Sequence, residues 1–413
     1  MAKAIYKMKK FGVEVLPPDI NLSDIEFTPN EEDNTILFGL GGISGINIDI
    51  SKQIIENRPY KNFEDFYAKN CKETNPQTLI TKSKFVALIK AGCFDKMINR
   101  VECLRWFTFH TMTLKDSLTT SNIPNAINIG VDLPIDLIRI YRFKKYVCSK
   151  EFFYCNDTSF KSKKHYLLES KYALPFFMEN FADRLVEEKD YYFSDVGVVV
   201  IDKSLDKALK PELDKLKAII NSKKVIEDYN RKSFIVEYEK LSNGTNDISK
   251  WGFSTTCFYP NDKHELESVY DSDVNICRFN DLPEEPVYVL KKGRNGREWR
   301  NYDLTRVCGT VLDKKDNGHF INLLTPEFEV IEVKFNKGQY AFYKQEIEKD
   351  GQKDPSYFAR GTLLMITGYR MGETTFVAKK YSNSLYQHAC IRINKINEDG
   401  SYDLQLNRLG QED

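Results

Sequence analysis

The chain has 413 residues, and its 60 Lys and Arg exactly balance 60 Asp and Glu, giving a formal net charge of zero. That length holds roughly two to four domains with real cores, and the even balance excludes indiscriminate coating of an acidic polymer by net attraction. No run of about 18 apolar residues occurs, and Met1 to Lys7 is neither a signal peptide nor a lipidation site, so no membrane partner and a soluble intracellular protein are expected.

Nine cysteines without a Cys-x-x-Cys pair, and five histidines without ligand-like spacing, predict reduced, mostly buried thiols and no metal site. Residues 4–11 place Ala4, Ile5, Met8 and Phe11 on one stripe, an amphipathic helix ended by Pro17 and Pro18. The acidic stretch 28–35 reads as a loop. From Phe38 to Ile55 the pattern predicts a helix, a hairpin turn on Gly45, Ile46 and Asn47, and a second helix. Leu40, Ile43, Ile50, Ile54 and Ile55 supply its apolar positions. Gly45 offers backbone angles closed to other residues, and Asn is the next most tolerant type. Such a turn directs N–H groups outward at a helix N-terminus, where an anion is favoured. The phosphate of a nucleic-acid backbone fits, and DNA becomes the leading partner. The same residues would also make a compact corner between two apolar helices. A dinucleotide fingerprint fails at Ser44, where a third Gly is required, and no Gly-x-x-x-x-Gly-Lys phosphate loop occurs.

Further along, Lys84 to Lys90 predicts a helix ending at Gly92, and Val101, Leu104, Trp106 and Phe107 suffice for one more. The polar stretch 115–130 reads as a linker or surface loop. Asp195 to Ile201 is a short buried strand, and Lys210 to Ile220 a helix with Leu213, Leu216 and Ile220 on one face. From 302 to 381 the period changes. Val307, Gly309 and Val311 alternate with Arg306, Cys308 and Thr310, and further strands are expected at His319 to Leu324 and Phe328 to Phe335. A helical insert from Gln339 to Glu348 precedes strands at Gly361 to Gly368 and Thr374 to Lys380. Three strands, a helical connection and two strands is the order of an oligonucleotide-binding (OB) barrel.

Gly12 to Ser23 (with Pro17, Pro18, Asp19, Ile20 and Asn21), the Phe38 to Asn47 turn, Phe63 to Phe66 and Leu88 to Asp95 occur in a fixed order. In that order they resemble the fingers and tandem helix-hairpin-helix region of bacterial DNA polymerase III α subunits. The departures are Asn47 for a second turn Gly, Ser51 for Ala and Cys93 for Ala. Trp251 to Phe253, and Phe258 to Leu266, resemble that family's connector to its terminal barrel, while 101–250 is only faintly similar. The resemblance implies a multi-domain α+β chain: a mostly helical N-terminal helix-hairpin-helix region, a mixed α/β middle region and a C-terminal five-stranded OB-type β-barrel. The expected domains are the end of a fingers-like domain (1–35), the tandem hairpins (36–115), the middle region and connector (116–285), the barrel (286–385) and a C-terminal tail (386–413).

The family's nucleotidyl transfer needs converging metal-bound aspartates. This chain lacks its Pro-Asp-x-Asp-x-Asp pattern, and the nearest imitation, Asp271 and Asp273, lies in a polar stretch. The resemblance therefore implies an enzyme family but a chain inactive alone, with no cofactor of its own and Mg2+ only in the palm of an assembled polymerase. DNA positioning remains. Near the hairpins Gly45, Ile46, Asn47, Lys52, Arg58, Lys82, Lys84 and Arg100 are the expected contacts, each basic one also explicable as a solvated surface group. On the barrel Arg294, Arg297, Lys314, Lys315, Arg370 and Lys380 would track the backbone, and Phe320, Tyr369 and Phe376 would stack bases. The run from Lys291 to Arg300 is the densest basic-aromatic segment, and Lys161 to His165 a weaker one.

Two readings follow. In the first, this is the C-terminal part of a polymerase III α-type subunit that holds primer–template duplex and single-stranded template for a palm-bearing partner chain, in the cytoplasm of a bacterium or infected host cell. In the second, it is a stand-alone DNA-binding regulator that reuses polymerase modules. A sliding-clamp partner is implied by the family, but Gln405 to Leu409 lacks the usual aromatic and reads as an ordinary tail.

Overall fold

The computed structural model describes residues 4–5, 8, 11–150, 165–194, 197–259, 264, 266–272, 276–292, 296–349, 352–382, 384–396 and 401–409. They form two compact units, residues 1–105 with 245–413, and residues 106–244. The expected middle region began at 116 and ran to 285; residues 245–285 lie instead in the first unit.

In the first unit β1 (Glu14–Leu16) runs parallel to β3 (Thr35–Leu37), which also pairs antiparallel with β2 (Thr28–Asn30). The 28–35 stretch is therefore a hairpin rather than a plain loop, closed by Asn34 at φ +50°, whose side chain donates to the Gly12 carbonyl at 2.7 Å. After β1 the run from Pro17 to Ser23 acts as a bracket. Asp19 Oδ1 accepts the N–H groups of Asn21 and Leu22 at 2.8 and 3.0 Å, and Ser23 Oγ donates to the Phe38 carbonyl at 2.8 Å. Asn21 exchanges two hydrogen bonds, of 2.8 and 2.9 Å, with the backbone of Tyr60.

Four helices follow: α1 (Ile48–Glu56), α2 (Phe63–Asn70), α3 (Lys82–Ala91) and α4 (Arg100–Thr111). Asn47 and Asn62 cap the first two by accepting the N–H groups of Ile50 and Asp65, the role for which short polar side chains are favoured. Rings of Tyr60, Phe63, Phe66 and Phe94 meet at centroid distances of 4.8 to 6.5 Å and fill the space between α2 and α3. The expected first helix of the hairpin is only a 3-10 turn, Leu40–Gly42. Glycine has poor helix propensity, and a Cβ on Gly39 would lie 2.4 Å from the Glu26 carbonyl carbon, so close backbone approach decides this segment.

The second unit holds α5 (Ile123–Asn128), α6 (Ile135–Ser149), β4 (His165–Glu169), α7 (Ala173–Asn180), β5 (Tyr191–Ser194), β6 (Gly197–Ile201), α8 (Asp202–Ile220) and α9 (Lys223–Ser242). The three strands are antiparallel with β6 in the centre. Phe143, Leu168, Phe177, Val198, Leu205 and Leu209 form one core, and Leu118, Ile123, Leu216, Ile220 and Tyr229 another. The stretch 115–130 is thus no loose linker: Leu118, Ile123 and Ala126 are buried under a polar majority. Residues 161–164 lie outside the described residues, and His165 is buried in β4.

The first unit resumes with α10 (Ile248–Thr256) and α11 (Glu267–Ser272). Asp247 caps α10 by accepting the N–H groups of Ser249 and Lys250. Trp251 and Phe253 are buried, and Ser44 donates its N–H to the Thr255 carbonyl at 2.7 Å, fastening the hairpin turn to α10. A two-stranded hairpin, β7 (Tyr288–Lys292) with β8 (Glu298–Tyr302), precedes the barrel.

The barrel consists of β9 (Thr305–Lys315), β10 (Phe320–Leu324), β11 (Val330–Lys334), the helix α12 (Lys337–Lys344), then, past a small hairpin of β12 (Ile347–Lys349) and β13 (Gln352–Asp354), β14 (Leu363–Arg370) and β15 (Thr375–Ala378). The chain order matches expectation. The sheet closes because β15 pairs parallel with β11 and antiparallel with β14, while β14 also pairs with β9. β9 pairs with both β10 and β14, with a bulge at Leu312 opposite Asn322 and Leu323, and Gly309 allows close approach, since a Cβ there would meet the Leu324 carbonyl oxygen at 2.5 Å. Val307, Val311, Ile321, Leu323, Ile331, Val333, Leu364, Ile366 and Phe376 fill the interior.

The expected tail is largely sheet. β16 (Cys390–Ile396) pairs with β14, and β17 (Tyr402–Gln405) with β16. Leu363 and Met365 present an apolar face outside the barrel, which their cross-strand partners Ile393 and Ile391 extend and against which Leu266, Val269 and Ile276 pack. Arg408 is wholly buried beyond β17, its Nε donating to Asp354 Oδ2 at 2.9 Å.

Candidate nucleic-acid interface

The hairpin turn places its groups with little freedom. Gly45 takes φ +83°, and the Ile46 N–H returns to the Ile43 carbonyl at 3.0 Å. Ile46 itself is buried, so its contribution is anchoring rather than contact. Asn47 Oδ1 accepts the Ile50 N–H at 3.0 Å, which satisfies one of the donors left open at the start of α1. The helix still presents the positive end of its dipole there, with Ile48 and Asp49 exposed at its first positions. Asp49 adds a carboxylate to that turn, which works against a second anion.

Lys84 completes the arrangement from α3. Its ammonium lies 3.0 Å from the point that a Cβ on Gly45 would occupy. A cation, a left-handed glycine and a helix N-terminus therefore converge, which is the chemistry of a phosphate cradle. Lys52 and Lys82 are exposed on α1 and α3.

Arg58 and Arg100 serve elsewhere. Arg58 donates to the carbonyls of Ile20 at 2.7 Å and Ser23 at 2.5 Å, and its burial lowers its pKa. Arg100 is buried, paired with Asp95, and donates to the carbonyls of Lys90 and Ile248, both at 3.1 Å. Each guanidinium staples backbone together, so both are corrections to the expected phosphate contacts.

The barrel residues divide the same way. Phe376 is a core residue, contrary to expectation, because odd and even positions of β15 face opposite sides. Arg370 is buried, donating to the carbonyls of Leu282 at 2.9 Å, Gly372 at 3.0 Å and Glu373 at 3.1 Å, and pairing with Glu284 at 3.2 Å. Its role is structural too. Lys314 and Lys315 are exposed at the end of β9, Phe320 is half-buried opposite Lys315, and Lys380 is exposed beyond β15. Arg297 is exposed ahead of β8, and Arg294 lies outside the described residues, as do Asp273 and the Asp271 side chain.

Tyr369 is half-buried outside the barrel and stacks on Tyr302 at 4.2 Å with rings 5° from parallel. Lys379 lies over the Tyr302 ring at 4.5 Å, and Arg300 over the Tyr288 ring at 4.7 Å. A hydrogen bond with Arg300 lowers the pKa of Tyr302, whereas burial pushes Tyr369 up to about 12. Tyr288, Tyr302 and Lys379 were not among the expected residues. The alternation of Tyr288, Leu290 and Lys292 against Arg300 and Tyr302 was a visible signal, but only strand register puts these side chains on one face.

A helix-hairpin-helix region joined to a closed OB-type barrel is the class that these elements define, and residues 12–103 match the family model of the helix-hairpin-helix motif. The chain is similar to DNA polymerases and, over its helix-hairpin-helix region, to DNA polymerase III α subunits. Across 418 aligned residues, 99% of this chain, it is 33% identical to the "Probable DNA polymerase YorL" of Bacillus subtilis (strain 168). It is equally similar to the "DNA-directed DNA polymerase" of Bacillus phage SPbeta, and spans 31% of the length of each. A stretch of 88 residues, 21% of this chain and 7% of the relative, is 46% identical to the DNA polymerase III subunit alpha of Aquifex aeolicus. Similarity to the phage-type relatives thus extends through the middle region, where the resemblance to α subunits is faint.

Proposed function

We propose that this chain is the DNA-positioning part of a polymerase III α-type replicase, holding primer–template duplex through its hairpin turns and single-stranded template along its barrel, while a palm on another chain supplies the chemistry. The observation that carries the reading is the convergence of Gly45, Lys84 and the N-terminus of α1. Backbone N–H groups and one ammonium hold phosphate without reading bases, as a polymerase that must copy any sequence requires. The half-buried Phe320 on β10, with Lys315 of β9 and Lys334 of β11 as cross-strand neighbours, provides the kind of surface on which such barrels carry unpaired strands.

Among the described residues no three His, Cys, Asp or Glu side chains are grouped to hold a metal ion, and no step is routed through one. Among them also, no helix is long and apolar enough to cross a membrane. The cytoplasm is the compartment this reading assigns.

The test is a pair of assays on the full chain. Duplex binding is measured by fluorescence anisotropy for wild type, Gly45→Ala and Lys84→Gln, and primer extension is measured after adding a palm-bearing polymerase chain. The reading expects weaker duplex binding in both variants, and extension that depends on both chains. Unchanged duplex affinity in both variants would sink it.

A further inference from the structure

The β7–β8 hairpin pairs with no other strand, and two-stranded ribbons are marginal in water without a packed face. Its inner face is anchored at one end by Tyr302 on Tyr369. Its outer face stands largely open to solvent among the described residues. Register puts Lys291 directly opposite Trp299 and Val289 opposite Asn301 on that face. Val289 is 64% exposed and Trp299 48% exposed, an unusual investment of apolar surface in an arm. Five basic residues, Lys291, Lys292, Arg294, Arg297 and Arg300, stand in the segment 288–302 against one acidic residue, Glu298, in a chain whose overall charge is zero.

We propose that this outer face binds a single DNA strand, with an unpaired base stacked on the Trp299 indole and the adjoining phosphate held by Lys291. An exposed indole flanked by a lysine, within a strongly basic segment, matches a flat base linked to an anion; a protein partner's apolar face offers no counterpart for that charge. The choice of DNA rests on the function proposed above, but the site is separate from the hairpin turn. It also differs from the β10–β11 face, where OB barrels ordinarily seat their ligand. The arm would catch template before it reaches the barrel.

The experiment measures binding of the full chain to a labelled oligo-dT strand and to a labelled duplex, for wild type, Trp299→Ala, Trp299→Phe and Lys291→Gln. Trp299→Ala is expected to weaken oligo-dT binding about tenfold or more while leaving the duplex unchanged, the scale of one lost base–aromatic stack. Trp299→Phe should recover most of that loss. Lys291→Gln should flatten the salt dependence of oligo-dT binding by a slope of about 0.7. Equal thermal midpoints confirm that the variants fold, since these side chains lie on the surface. Unchanged oligo-dT affinity in Trp299→Ala overturns the proposal, as does an equal loss on duplex, or loss of a protein partner with DNA binding intact. Failure of both Gly45→Ala and Lys84→Gln to affect duplex binding would refute the hairpin-turn reading and leave this result standing.

Discussion

The ammonium of Lys84 occupies the space next to Gly45 that any other residue's Cβ would claim, 3.0 Å away. Cation and glycine are 39 positions apart in the sequence, yet the fold brings them side by side. Gly45→Ala must both strain a backbone at φ +83° and displace that ammonium. We expect a stability loss of about 1 kcal/mol and roughly tenfold weaker duplex binding. Lys84→Gln should leave the melting midpoint in place and reduce the salt slope of duplex binding by about 0.9. A slope unchanged by Lys84→Gln would remove it from the interface.

Arg58 and Arg100 should behave in the opposite manner. Either residue changed to Ala leaves carbonyls without their donors, those of Ile20 and Ser23 in one case and of Lys90 and Ile248 in the other. Loss of bonds from a charged donor costs roughly 1.5–3 kcal/mol each at most. Urea unfolding is expected to show the loss, while the salt slope of DNA binding by the folded chain stays at the wild-type value. A reduced slope with normal stability would restore these residues to the DNA-contact class.

Phe376 and Phe320 make a matched pair on the barrel. Phe376→Ala opens the core and should cost about 3–5 kcal/mol. Phe320→Ala, at a half-buried position, should cost much less and instead weaken oligo-dT binding. Equal destabilisation would mean that Phe320 serves packing alone.

The C-terminal residues carry structural weight. Arg408 and Asp354 are both buried, and Arg408 also donates to the carbonyls of Phe342 at 2.6 Å and Gln345 at 2.9 Å. Arg408→Met leaves Asp354 with only the longer Arg392 contact at 3.7 Å and the Leu409 N–H, and breaking a buried pair from one side costs up to about 3–5 kcal/mol. Denaturant midpoints of the full chain decide it. A shift within error would mean that the last residues are dispensable, as expected of an ordinary tail.

His264 supplies the pH dependence. Its Nδ1 accepts the Leu266 N–H at 3.1 Å, its Nε2 lies 3.2 Å from Thr310 Oγ1, and burial lowers its pKa to about 3. The unfolded chain, with an ordinary value of 6.5, binds the proton more readily than the folded one. The stabilisation from this neutral ring is therefore present above pH 6.5 and is lost as pH falls toward 3. His264→Gln should show a shallower loss of stability between pH 6.5 and 4 than wild type. Parallel curves would place the acid sensitivity elsewhere.

Much of this was written in local chemistry. Alternation from Val307 onward fixed the strands of the barrel, because a half-buried strand must repeat every two residues. Gly45 marked the turn, because few residues tolerate its backbone angles. Local pattern could not separate surface cations from stapling ones. Lys84 and Arg58 look alike in a string, and only the approach of the carbonyls of Ile20 and Ser23 shows that Arg58 is engaged with backbone. It also could not show that Cys390 to Ile396 continues the sheet, since that depends on its pairing with β14 and the apolar face they share. By itself the sequence determined the barrel's strands and the glycine turn that could receive a phosphate. The tertiary structure decided which charges stay on the surface, because desolvation and the demand of buried carbonyls for donors are set by neighbours distant in the chain.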